Sequence, residues 1–314
     1  MSLSKNRVKP WTADDTQFSL LALPTTVWYL LFSYLPMFGI IIAFVRLQIM
    51  PGYGFIRSIF SSPWVGFENF RNIFASRDIW LAIRNTLGYN VVFIIVGTSL
   101  AIAFALIVNE LYNRKLAKIY HTIMFFPFFL SWVVVSAIVW GFLSPTMGVV
   151  KGLPESWGLG LRHFYSEPGF WPGFMVFMSQ WKGVGHGMVI YLATIASIDK
   201  TVYEAALIDG ASKWQQIWLI TLPMMKTIIV LMFILSTGKI FYSDFGMFFQ
   251  VPRLPNAALN DVVVTLDVFV FQRLFDAPAG MAAAAAMAQA VTACVMTLLV
   301  NWIVRRVDPE SAMI

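Results

Sequence analysis

The ionisable residues that could do chemistry in this chain lie inside long apolar segments. Lys182 and His186 stand one helical turn apart, and Lys239 and Asp244 occur together in the next apolar segment. A charged side chain at membrane depth costs at least about 2.5 kcal/mol by insertion scales, so each charge needs a partner or water. These residues therefore predict either a wet path between apolar segments or buried structural pairs.

Each of these residues also has a structural interpretation. Lys182 could snorkel to an interface beside Trp181, and His186 could be an ordinary packing histidine. Lys239 and Asp244 could neutralise one another within their segment. Residue types and spacing alone leave both interpretations open.

Common motifs of enzyme chemistry are absent from the sequence. The run Gly183-x-Gly185-x-Gly187 lacks the strand, spacing and acidic residue of a dinucleotide site, and instead predicts a loosened helix beside Lys182. No GxxxxGK[ST] loop for ATP occurs. The single cysteine, Cys294, excludes a CxxC site and an internal disulfide. The three histidines, His121, His163 and His186, are scattered along the sequence, which argues against a multi-histidine metal centre. We therefore expect no catalytic residues and no metal ligands.

The composition is that of a membrane protein. Hydrophobic residues make up 59% of the 314 positions and charged residues 12%, against roughly 25% charged in soluble domains. The net charge of +6 comes from bases beside apolar segments, which is typical of anchored cytoplasmic ends rather than of nucleic-acid binding. The apolar run from Phe18 to Val45 is too long for a secretory signal and predicts a retained first span.

Six segments reach spanning length, which predicts an all-α polytopic membrane protein with six transmembrane helices. They lie near Leu20–Val45, Ile79–Val108, Tyr120–Phe142, Trp171–Ala196, Thr227–Phe249 and Gly280–Val304. An even count puts both termini on one side, and short-loop bases assign that side to the cytoplasm. Those bases are Lys5, Arg7, Lys9, Arg114, Lys115, Lys118, Lys200, Lys213, Lys226, Arg305 and Arg306.

These spans predict one transmembrane domain over residues 20–304, between cytoplasmic segments 1–19 and 305–314. In the first outer loop, Phe67, Phe70, Ile73 and Phe74 share one helical face, which suits an interfacial helix. The polar residues Glu68, Asn69, Arg71 and Asn72 occupy the opposite face, which we expect to point away from the apolar side. Small residues at four-residue spacing from Gly280 onwards predict close helix packing, with a partner chain as the expected neighbour.

A polar hinge over residues 199–223 interrupts the apolar pattern. Capping-box spacings at Thr201/Glu204 and Ser212/Gln215 predict two short helices, with Gly210 at positive φ between them and Pro223 at the exit. Ala205 and Ala206 keep the first helix narrow, while Leu207 and Ile208 give it an apolar side. This shape suits insertion into a groove of another protein, although an ordinary helical hairpin is the simpler alternative.

The hinge spacing resembles the cytoplasmic EAA loop of binding-protein-dependent ABC importer permeases. Glu204-Ala205-Ala206, Gly210, Ile220 and Leu222-Pro223 fill its positions. Other segments resemble the carbohydrate-importer subgroup, including the membrane subunits of alginate importers. These segments are 65–70, 84–86, 181–183, 190–192, 198–199, 214–218, 241–246 and 251–253, with Tyr203.

The resemblance implies a type I ABC importer permease fold in the bacterial cytoplasmic (inner) membrane, and a transporter subunit rather than an enzyme. It implies that Tyr203 to Gly210 is a coupling helix that docks on a separate ATPase subunit, which uses the ATP and Mg, while this chain binds no cofactor. The implied coupling residues are Tyr203, Glu204, Ala205, Ala206, Leu207, Asp209 and Gly210. The implied partners are a second homologous permease, two ATPase subunits, an extracytoplasmic binding protein and a carbohydrate substrate, in contact with lipid.

In this setting the polar residues of the spans become candidates for a substrate path. Aromatic rings can stack on sugar faces and bases can meet carboxylates, so we expect an acidic oligosaccharide such as alginate. The candidates are Trp181, Lys182, His186, Lys239, Tyr242 and Asp244. An ion-coupled secondary transporter, using a buried lysine and aspartate, is the main alternative, and a polytopic membrane enzyme is the second.

Overall fold

The computed structural model describes residues 12–50, 52, 54–111, 113–152 and 163–307, and across these ranges it contains helices and no strand. The predicted basic residues Lys5, Arg7 and Lys9, and the end of the C-terminal segment, lie outside the described residues. The α-helices are α1 Ala13–Tyr29, α2 Phe55–Ser61, α3 Glu68–Ala75, α4 Arg77–Glu110, α5 Arg114–Phe125, α6 Trp132–Leu143, α7 Trp171–Ser197, α8 Lys200–Ile208, α9 Lys213–Gln216, α10 Leu222–Met224, α11 Lys226–Gly238, α12 Phe245–Gln250, α13 Asn260–Val263, α14 Leu266–Asp276 and α15 Ala279–Val307.

Three continuous helices in the described ranges are long and apolar enough to cross a membrane. They are Asp14–Phe44, Arg77–Glu110 and Ala279–Arg306, where the first continues α1 through π-helical and 3-10 turns. Two bent pairs bring the number to five if each pair is one span. Helix α7 has the length of a span, with 27 residues, but its polar residues keep it outside this set.

The third and fifth segments are not the continuous helices that hydropathy predicted. The third bends by 97° between Phe129 and Trp132, just after Pro127, which lacks a backbone N–H donor, and Ser131 caps the helix that follows. The fifth stops at Gly238 and resumes only with α12. Its predecessors α9 and α10 join α11 at a second bend, of 59°.

Helices α4 and α7 form the centre of the fold and run in the same direction. Their first halves share one buried cluster, which contains Ile79 and Trp171, and their second halves share another, which contains Val108 and Ile195. The hinge follows α7 directly, and Lys213 pairs with the last residue of α4. We call this end of the bundle the hinge end and the opposite end, around Trp171, the far end.

Two expectations about packing were wrong. Gly280 lies against its own chain rather than a partner, because an added Cβ there would meet the Asn69 amide at 2.5 Å and the Val45 carbonyl at 2.8 Å. Asn69 is buried instead of facing out from α3, and its side-chain amide donates to Ala43 O at 2.9 Å and Val45 O at 3.1 Å. The turn after the first span is thereby fixed within the chain.

Candidate functional site

The hinge begins with a cap that differs from the predicted one. Asp199, not Thr201, is the N-cap of α8, and its carboxylate accepts a hydrogen bond from the Thr201 amide at 3.0 Å. That bond, and a weaker contribution from the Thr201 hydroxyl, lower the pKa of Asp199 below its ordinary value. The Thr201/Glu204 capping box was therefore a wrong prediction, because a better acceptor lies two residues earlier.

The second half of the hinge follows the predicted pattern. Gly210 has a φ of 79°, and the bonds from Ala211 N to Ala206 O and from Gly210 N to Leu207 O form a Schellman end to α8. Ser212 and Gln215 form the predicted capping box at the start of α9. The two short helices therefore meet at a defined angle rather than through a loose loop.

Helix α8 projects from the bundle and presents apolar side chains. None of its residues is buried, and Leu207 and Ile208 are 66% and 87% exposed. The remaining predicted coupling residues lie around them: Glu204, Ala205, Asp209 and Gly210 are exposed, and Tyr203 and Ala206 are half-buried. Exposed leucine and isoleucine side chains at the tip of a short helix are suited to a pocket on another protein.

One polar contact joins the two halves of the hinge, and a second joins the hinge to the bundle. The hydroxyls of Tyr203 and Thr221 are 2.9 Å apart, and the Thr221 hydroxyl also donates to Gln216 O. The Lys213 ammonium lies 2.9 Å from the Glu110 carboxylate at the end of α4. These contacts join α8 to the segment that leads into α11, and α9 to the end of α4.

A polar groove runs between α4, α7 and the end of α11. Its cavity measures about 390 Å³ and contains two of the six predicted path residues, Lys239 and Tyr242. Other polar groups that line it come from α4, α7 and α11, and sequence reasoning did not assign them to a path (Asn90, Thr98, Ser179, Gln180, Tyr191 and Ser236). These residues are uncharged and lie in largely apolar segments of the sequence. Only the folded bundle shows that they line one groove.

Side chains from three helices hold the turn that carries Lys239 and Tyr242. The Asn90 amide donates to Ile240 O at 2.7 Å and to Tyr242 O at 2.8 Å. The Gln289 amide donates to Phe241 O at 2.7 Å. Asp267 accepts bonds from the backbone N–H and the hydroxyl of Ser243, at 2.6 and 2.7 Å. This turn is therefore a built element of the groove and not a frayed helix end.

Lys182, His186 and Asp244 gather at the bend of the third segment, outside the groove. Lys182 donates to Phe128 O at 3.0 Å and lies 5.3 Å from the Phe128 ring and 5.2 Å from the Trp132 ring. His186 stacks on Phe128 at 4.3 Å between ring centroids. Asp244 accepts the Trp132 indole N–H at 2.5 Å and caps α12 through Met247 N. Side chains of α7 and the N-cap of α12 thus contact the residues of the bend.

The six predicted path residues therefore do not form one site. Lys239 and Asp244 make no ion pair with each other, since Asp244 is turned towards Trp132 on the other bent segment. Trp181 lines an apolar cavity of about 380 Å³ instead of the groove. In the described part of the chain no group of three or more histidine, cysteine or acidic residues could hold a metal ion.

Comparison with known families and structures assigns the chain to a class. The family model described as "Binding-protein-dependent transport system inner membrane component" matches residues 97–310. The polygalacturonan/rhamnogalacturonan transport system permease protein YteP of Bacillus subtilis (strain 168) is 30% identical over 293 residues, which are 93% of this chain and 88% of YteP.

Two solved structures contain chains similar to this one. One is a bacterial ABC transporter involved in the import of the acidic polysaccharide alginate, with a TM-score of 0.82 and 31% identity over 94% of this chain and 97% of that chain. The other is a bacterial alginate ABC transporter in complex with an alginate pentasaccharide-bound periplasmic protein, with a TM-score of 0.81 and 31% identity over 94% and 96%. The resemblance noted from the hinge is thus confirmed, and this chain belongs to the family of binding-protein-dependent transport system inner membrane components.

Proposed function

We propose that this chain is a permease subunit of an ATP-driven, binding-protein-dependent importer of acidic oligosaccharides. It has six spans, with α7 as the fourth, and both termini in the cytoplasm of a bacterial cell. A second homologous permease completes the path, and two ATPase subunits use the ATP and Mg. The observation that carries the proposal is the exposed α8, tied to a bundle that contains a polar groove.

Helix α8 is the docking element for the ATPase. Burying Leu207 and Ile208 in a cleft would contribute about 2 kcal/mol each. Glu204 and Asp209 flank them and can meet bases on the ATPase. ATP-driven closure of the ATPase dimer moves the docked helices, and the ties at Tyr203 and Lys213 transmit that motion to α11 and α4.

The groove is the proposed part of the substrate path. Lys239 is exposed in it and has no ion-pair partner among the described residues, so its ammonium is available to a sugar carboxylate. Tyr242, 43% exposed, offers a ring for stacking on a sugar face. The similarity to a transporter of the acidic polysaccharide alginate supports this substrate class.

The docking role is tested by truncating the tip of α8 in the reconstituted importer. We expect the double variant Leu207→Ala with Ile208→Ala to lose tenfold or more of the ATPase stimulation by loaded binding protein, because two buried side chains are removed. The matched control is Leu274→Ala on α14, where a leucine of 54% exposure lies at the far end. Wild-type stimulation in the double variant would refute docking by α8.

The substrate class is tested separately. Lys239→Met should reduce uptake of acidic oligosaccharides and leave uptake of neutral ones of the same length unchanged, because only the former need the ammonium. Equal loss for both would refute selection by charge. The ion-coupled alternative requires a buried lysine and a buried aspartate, and it finds no support in burial, because Lys239 and Asp244 are both exposed.

A further inference from the structure

Arg253 occupies a backbone position that ordinarily belongs to glycine. The bonds from Leu254 N to Phe249 O and from Arg253 N to Gln250 O, each 3.1 Å, form a Schellman end after α12. The hinge uses the same pair of bonds with Gly210 in the corresponding place. Arg253 has a φ of 58° and is the one non-glycine residue with positive φ in the described ranges.

The side chain of Arg253 is oriented but has no counter-charge in the part of the chain that the structure describes. Its guanidinium lies 4.1 Å from the centroid of the Trp140 ring, and the residue is exposed. Tyr165, which packs on Trp140, is neutral, because burial raises its pKa to about 12 against the opposing effect of Arg253. No carboxylate pairs with Arg253 among residues 12–50, 54–111, 113–152 and 163–307.

Arg253 lies at the far end of the bundle. Tyr165 and Trp171 share the buried cluster at the first turn of α7, and Tyr165 O accepts a bond from Asn256. Helix α7 has 27 residues and is therefore about 40 Å long, so Arg253 and the hinge lie on opposite sides of a membrane. If the hinge faces the cytoplasm, Arg253 faces the compartment of the binding protein.

We propose that Arg253 is a docking point for a carboxylate side chain of the extracytoplasmic binding protein. A guanidinium stacked on a tryptophan keeps its N–H edges free for a bidentate carboxylate. Arg253 stands on an open surface, outside the cavities described above, and open surfaces suit a protein partner while small ligands prefer concave sites. Arginine and tryptophan are also the side chains enriched at the centres of protein interfaces. This inference rests on the proposed import function.

The backbone offers a variant that separates folding from docking. Arg253→Gly relieves the positive φ, so the thermal unfolding midpoint of the assembled importer should not fall. We expect the same variant to weaken the affinity of the importer, in lipid nanodiscs, for its own binding protein loaded with alginate oligosaccharide by about 30-fold. Arg253→Lys keeps the charge but not the planar fork, and should weaken affinity by about tenfold.

The matched control is Arg71→Gln, which removes one exposed charge from α3 at the same end of the bundle. Its affinity should stay within twofold of wild type. An equal loss of affinity in Arg71→Gln, or unchanged affinity in Arg253→Gly, would overturn the inference. Neither result would contradict the proposed import function. If Arg253→Gly abolishes only the binding of free alginate oligosaccharide, the occupant is the sugar and the inference is also wrong. A wild-type importer that never binds its binding protein would instead contradict the proposed function.

Discussion

The glycines of α7 provide a sharp test of how α5 packs against it. A Cβ added at Gly185 would lie 2.0 Å from Met124 O and 2.7 Å from Phe125 N, and both are backbone atoms that no rotamer change can move. At Gly183 an added Cβ meets nothing within 4 Å, and at Gly187 it meets Ala101 Cβ at an ordinary 3.5 Å. Replacement by alanine is therefore expected to cause a steric clash at Gly185 but not at Gly183 or Gly187.

Helix propensity and overpacking predict opposite changes in the stability of these variants. Alanine is favoured over glycine inside a helix by about 1 kcal/mol, which Gly183→Ala and Gly187→Ala should gain. Gly185→Ala must move α5 away by more than 1 Å, and overpacking of this kind costs about 1–3 kcal/mol or more. We therefore expect Gly185→Ala to be destabilising despite the same gain in helix propensity.

The assay is thermal unfolding of the importer in nanodiscs, followed by tryptophan fluorescence. One kcal/mol corresponds to about 2–4 °C for chains of 150–250 residues, so Gly185→Ala should lower the midpoint by a few degrees and the other two variants should raise it or leave it unchanged. Equal midpoints for all three variants would show that α5 does not approach α7 this closely.

Three further predictions concern contacts of the hinge and the bend. Tyr203→Phe removes a 2.9 Å hydroxyl contact with Thr221 that is worth about 1 kcal/mol. It should reduce the coupling of ATP hydrolysis to uptake without loss of ATPase binding. Unchanged coupling would contradict a role of the Tyr203–Thr221 contact. Asp199→Ala should lower the protection of α8 amides against hydrogen exchange, while Asp199→Asn should not. Because the folded pKa of Asp199 is lowered, the charged cap is fully present above the ordinary aspartate pKa and is lost as pH falls through the lowered value. Protection factors, corrected for intrinsic exchange, that stay constant over this pH range would be contrary evidence. Lys182→Met should lower the unfolding midpoint more than Lys151→Met, an exposed lysine near the far end, because only Lys182 holds the bend at Phe128.

The hinge was the part of the molecule most accessible from sequence. Gly210 and the Ser212/Gln215 box depend on backbone geometry within a few residues, so local spacing encodes them. Thr201 was predicted as a cap for the same local reason, but the helix begins two residues earlier, because Asp199 accepts the hydrogen bond of the Thr201 amide. Local rules thus located the element and missed one boundary.

The bends and the groove could not be predicted in the same way. Hydropathy is averaged along the chain and carries no information on where a helix bends. Segments 120–142 and 227–249 were therefore predicted as straight spans. Pro127 was the one local signal of the first bend. The turn at Lys239 is held by Asn90 and Gln289, about 150 and 50 residues away in sequence, and only the folded chain brings them there.

The first helix has a consequence for any physical study of this chain. Only 6% of the most apolar window of Asp14–Phe44 is covered by the rest of the structure, and Phe18, Leu21 and Phe38 are at least 70% exposed. Water is therefore the wrong reference state for this segment, whose free energy depends on the amphiphile or neighbouring subunit around it. Apparent stabilities of the isolated chain will consequently vary with the solubilising agent, and only values taken in one medium can be compared.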